Sequence, residues 1–174
     1  MPSTLKRLAR LGQTICLASA LIILGTGIHL ALSPFEAVNL LRAANSGVAN
    51  LPESPVLLAA AATASLPVLL FLYCLFLLWK LFGLAGQRKL YDSDGQSILV
   101  RLGALAMITA VLGVVVRMVV ALLMTSANPP GQKQLMLAIG SGEIVSLLLG
   151  ILFFIFSRVL QEASALDREN KSFV

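Results

Sequence analysis

Apolar positions along this chain gather into four long runs, residues 15–32, 56–82, 98–125 and 135–160, with short polar stretches between them. Each run falls within or beyond the roughly 17–25 residues that a helix needs to cross a ~30 Å hydrocarbon layer. The pattern predicts an all-α fold, an integral membrane four-helix bundle. The longest stretch outside the runs, residues 33–55, is too short to bury a core of its own. Residues 1–174 therefore read as a single four-span transmembrane domain.

Composition agrees: 58% of the 174 residues are hydrophobic and only 12% charged, about half the charged fraction of a soluble domain. The net charge of +5 raises the question of nucleic acid. Position answers it, because the basic residues flank the spans and form no dense stripe, so no direct nucleic-acid contact is expected. Lys6, Arg7 and Arg10 precede the first span, and Lys80, Arg88, Lys89 and Arg101 border the loop between the second and third. Arg158, Arg168 and Lys171 close the chain, whereas the two remaining loops hold only Arg42 and Lys133. Cytoplasmic loops carry the excess of Lys and Arg, which predicts an N-in/C-in orientation, both termini cytoplasmic. The first run is longer than the apolar segment of a signal peptide and is expected to stay as a span. Cys16 and Cys74 lie inside apolar runs without CxxC spacing, so neither a metal nor a redox role is expected.

On the outer side, Ser33, Pro34 and Glu36 have the form of a helix start, with Ser33 and Glu36 expected to make a capping box. Residues 37–44 then predict a short interfacial helix, broken by Asn45, Ser46 and Gly47. The second outer loop contains Asn128, Pro129, Pro130 and Gly131 and predicts a tight turn that makes the third and fourth spans antiparallel neighbours. On the inner side, Asp92, Ser93 or Asp94 can cap the third span, while Tyr91 and Trp79 suit the headgroup layer. Arg158 and Glu162 are spaced as an i,i+4 pair. The polar tail ends on Phe173 and Val174, an apolar tip expected to dock on this protein or on a cytoplasmic partner.

Two spans carry a charge. Arg117 lies eight residues before Thr125, and Glu143 eight residues after Leu135. At 1.5 Å per residue both would sit roughly 12 Å below the outer helix ends, the condition for a buried ion pair. Gly103, Ala106, Ala110 and Gly113 share the face of Arg117, and Gly142, Ser146 and Gly150 form a ridge beside Glu143. Small residues let two membrane helices approach closely, so these seven positions are the expected helix-packing surface. The pair reads as a staple of helix register, or functionally as an ion or proton relay or a gate that a charged ligand opens by breaking it. His29, at the outer end of the first span, is a candidate pH-sensing residue. Pro67 is expected to kink the second span, and the Ala-rich tract 59–64 to serve close packing within the bundle or between copies in a homo-oligomer. The chain has no HExxH, no paired carboxylates, no phosphate loop and no Ser/His/Asp set, so enzyme chemistry, cofactors and metals are not expected.

The stretch from Lys80, Leu81 and Phe82 through Lys89, Leu90, Tyr91, Asp92, Ser93 and Asp94 to Arg101, Leu102 and Gly103 resembles a bacterial four-span membrane family. That family is titled only as a domain of unknown function, number twenty-nine seventy-five. The tail, with Gln161, Glu162 and Ala163 and then Glu169, Asn170 and Lys171 before the Phe-Val end, is similar to the family's ending. The resemblance implies no activity. Members often accompany small helix-turn-helix regulators, which implies a sensor or docking partner for a cytoplasmic regulator, with Arg88, Lys89, Tyr91, Phe173 and Val174 as candidate docking residues. A small transporter or channel gated by Arg117 and Glu143 is the alternative, or an accessory subunit of a membrane complex.

Overall fold

The computed structural model describes residues 2–45, 48–87, 92–129 and 140–172, with side chains from residue 4 to residue 165 within those segments. Arg88, Lys89, Tyr91, Lys133, Leu135, Phe173 and Val174 lie outside the described residues, and so do the expectations placed on them.

Among the described residues the chain forms five helices and no strand: α1 (Pro2–Leu32), α2 (Pro34–Ala44), α3 (Ser54–Gly86), α4 (Ser93–Met124) and α5 (Ser141–Ser172). Four of them are long and apolar enough to cross a membrane, as a multi-pass membrane protein requires. Each exceeds its apolar run. At 31, 33, 32 and 32 residues they span roughly 46–50 Å, some 15–20 Å more than the hydrocarbon layer. Once a helix leaves lipid its backbone bonds remain satisfied internally, so it continues until a breaker stops it. Pro34 stands just past the end of α1.

Helices pack in chain order. α1 lies on α3, α3 on α4 and α4 on α5, and no comparable contact joins α1 to α5 among the described residues. α4 is consequently the centre and the most deeply buried of the four apolar helices, whereas α1 is the least. Two clusters carry the packing. Ala60, Val116, Val120 and Met124 join with Val48 toward one end, supported by Leu41 of α2. Leu77, Leu81, Ile98, Leu99 and Leu102 join toward the other. Ala60 is fully buried there, so one face of the alanine tract serves the α3–α4 contact. The apolar side chains left outside, such as Leu21, Ile22, Leu69 and Leu148, match lipid as solvent because no water competes for that surface.

α3 continues helically through Pro67. Proline has no N–H to give the carbonyl of Thr63, four residues back. The capping box expected at Ser33 does not form. Ser33 makes no side-chain cap bond, and the first turn of α2 is held by its carbonyl, which accepts from the N–H groups of Glu36 and Ala37. Glu36 turns instead toward His29. Arg158 likewise donates to Gln161 Oε1 at 3.5 Å, and no ion pair to Glu162 is present among the described residues.

Candidate functional site

Arg117 and Glu143 come together where α4 meets the start of α5. Arg117 Nη2 donates to Glu143 Oε1 at 2.5 Å. The second carboxylate oxygen, Oε2, accepts from the Gly140 N–H at 2.8 Å. Gly140 immediately precedes α5 and Glu143 is its third residue, so this reach-back is one half of a capping box. A negative side chain in the first turn also meets the positive end of the helix dipole. Glu143 thus caps its own helix with one oxygen and holds the neighbouring helix with the other.

The geometry differs from the expected one in two respects. Glu143 is not eight residues inside its helix, because the backbone at Gly140 is non-helical and α5 starts at Ser141. Nor is the pair fully buried: the Glu143 side chain is 12% exposed, the Arg117 side chain 42%. Val116 and Val120 occupy the core-facing side of α4, and Arg117, one residue further, is turned about 100° toward the open edge.

Glycines set the approach of the two helices. A Cβ on Gly113 would stand 3.1 Å from Glu143 Oε1, and one on Gly140 would stand 2.8 Å from Oε2. Farther along, Gly103 and Gly150 meet backbone to backbone. Ala110 is buried and Ala106 and Ser146 half-buried along this seam. Gly142 is not part of it. It is exposed, with nothing within 4 Å of a Cβ built there, because it is rotated about 100° away from Glu143.

His29 Nδ1 lies 3.4 Å from Glu36 Oε2, both side chains well exposed, which ties the last turn of α1 to the first turn of α2. No group of three or more His, Cys, Asp or Glu side chains suited to a metal occurs among the described residues.

Two polar anchors escape a reading of the sequence. Asn128 is buried, and its Oδ1 accepts from the N–H groups of Ala49 and Asn50 at 3.1 and 3.3 Å, pinning the loop after α4 to the segment between α2 and α3. Ser157 is also buried and donates to the Gln96 carbonyl at 3.4 Å, fastening α5 to α4 at the opposite end. Asn128 stands before two prolines, which suggests a turn and hides a long-range acceptor. Ser157 sits in an apolar run with no local mark at all.

Residues 42–174 match the family described as "Protein of unknown function (DUF2975)", and the chain belongs to that family. No curated protein and no solved structure matches it.

Proposed function

We propose that this is a non-enzymatic protein of the cytoplasmic membrane, both termini inside, that presents its basic helical end to a cytoplasmic regulator of the helix-turn-helix type. The supporting observation is a level of cations at one end of the four long helices. Arg10 of α1, Lys80 of α3, Arg101 of α4 and Arg158 of α5 are all exposed. Cross-helix contacts place that end of each helix side by side: Gln13 donates to the Trp79 carbonyl, Leu81 packs with Ile98, and Ser157 reaches Gln96. Such a level marks the cytoplasmic headgroup boundary by the positive-inside rule. Among the described residues α5 runs farthest beyond it, fourteen residues to Ser172, roughly 20 Å of helix. That projection is large enough to offer a partner a helical face. The Arg117–Glu143 pair is then a staple: with both carboxylate oxygens engaged, it holds the register of α4 and α5.

The test is photo-crosslinking in native membranes, with reactive residues placed at Arg101 and Glu162 on one end and at Leu32 on the other. Capture of one soluble protein from the first two positions and none from the third supports the reading. Capture of no soluble protein at any position would end it.

A further inference from the structure

The crevice between α1 and α3 contains two cavities in line. One, near the start of α1, has a volume of about 270 Å³ and is lined by Lys6, Arg10, Gln13 and Gln87 together with Phe82 and the glycines Gly83 and Gly86. The other, about 320 Å³, is wholly apolar in its side chains apart from the thiol of Cys16 and the indole N–H of Trp79, and runs past Leu17, Ala20, Leu72 and Phe76. Residues 6, 10, 13, 17 and 20 recur at helical spacing on one face of α1, and 72, 76, 79, 83 and 87 do the same on α3. The two cavities therefore lie end to end along the crevice, one basic and one apolar.

The junction is itself organised. Gln13 donates to the Trp79 carbonyl at 3.4 Å, and Trp79 stacks on Phe76, so the polar-to-apolar change coincides with an interfacial aromatic. The helices come close at the mouth: a Cβ on Gly12 would collide with the Phe82 ring, and one on Gly86 would stand 3.2 Å from the Ala9 Cβ. This floor keeps Lys6 and Arg10 above a closed contact and leaves the crevice to open farther along. Among the described residues neither cation has a carboxylate partner, and no acid lines either cavity.

We infer that these two aligned cavities hold one anionic phospholipid, with its phosphate between Lys6 and Arg10 and one acyl chain along Leu17, Leu72 and Phe76. Charge selects the headgroup, and the apolar groove selects a chain attached to it. Basic pockets between membrane helices at the headgroup level capture such lipids for the same reason. A zwitterionic lipid fits the groove but gains less at the mouth. A soluble phosphate ester fits the mouth but leaves the groove empty.

Trp79 is the single tryptophan of the chain and lines the groove, so its fluorescence reports occupancy. The full-length protein is reconstituted in phosphatidylcholine vesicles with equal mole fractions of chain-brominated phosphatidylglycerol or chain-brominated phosphatidylcholine. Quenching is expected at a lower fraction of the glycerol lipid, and soluble glycerol phosphate is expected to leave it unchanged. Lys6→Gln/Arg10→Gln should weaken the preference by roughly thirtyfold, the factor for two surface cations. Ala20→Phe, which fills the groove, should abolish it, while Arg7→Gln, outside the cavity lining, should keep it. Equal quenching by the two lipids in the unaltered protein overturns the proposal and leaves the crevice to a second copy or a protein segment. Release by glycerol phosphate overturns it in favour of a headgroup-only site, and equal loss in Arg7→Gln in favour of diffuse charge. Thermal unfolding of each variant in detergent separates misfolding from lost lipid. If Lys6→Gln/Arg10→Gln or Ala20→Phe is unfolded, the unaltered protein's preference decides alone.

Discussion

Gly103 of α4 and Gly150 of α5 meet so closely that a Cβ built on either would stand 3.0 Å from the carbonyl oxygen of the other. Backbone cannot yield as a flexible side chain does, so this contact fixes how near the two helices lie. Van der Waals packing between such surfaces is a main source of helix association in lipid, where no hydrophobic effect separates one apolar face from another.

Gly103→Val and Gly150→Val should each destabilise the protein by about 1–3 kcal/mol through overpacking. Gly142→Ala, which meets open space, should be neutral or stabilising by up to ~1 kcal/mol from helix propensity. Unfolding by SDS in mixed micelles measures all three, and equal effects at 142 and 150 would refute the assignment of the seam.

Glu143→Leu removes a helix cap and takes from Arg117 its carboxylate partner, so a loss of about 2–3 kcal/mol is expected. Arg117→Leu/Glu143→Leu should recover part of that loss, since no charge then remains. A double-mutant cycle should give a coupling of about 1–2 kcal/mol. Additive effects would mean that the two groups act independently.

Asn128→Ala leaves the N–H groups of Ala49 and Asn50 without the acceptor they share. The cost should be about 1–3 kcal/mol. Hydrogen exchange should accelerate at Ala49 and Asn50 while the Leu77–Leu102 cluster keeps its protection. Unchanged exchange at both amides would show that water replaces the side chain without loss.

Orientation is open to direct test in a background with Cys16 and Cys74 replaced. Thr4→Cys and Ala165→Cys should react with an impermeant maleimide only from the cytoplasmic side, and Asn50→Cys only from the opposite one. Reaction of Thr4→Cys and Ala165→Cys from different sides would contradict an even number of crossings.

The four membrane helices were open to reading from sequence because a ~30 Å apolar solvent imposes a length and a composition that local pattern carries alone. Pro34 and Asn45 marked the bounds of α2 for the same reason, as local backbone chemistry. Helix ends outside lipid were less visible. Lys6, Arg7 and Arg10 broke the apolar run but not the helix, since charge interrupts hydropathy without breaking backbone hydrogen bonds.

Rotation and pairing belonged to the tertiary structure. Gly142 and Gly150 look alike in sequence, yet only Gly150 meets α4, because a shared ridge needs the rotation of α5 to be known. The extra role of Glu143 as a cap depends on Gly140 ending the helix, and Arg117 stays partly exposed because α4 gives its core face to Val116 and Val120. Asn128 and Ser157 find partners 78–79 and 61 residues away, distances at which no periodicity speaks. By itself the sequence determined which segments prefer lipid, since that is decided residue by residue. Which helix lies on which, and the crevice chemistry between α1 and α3, were decided only when the chain closed those distances in space.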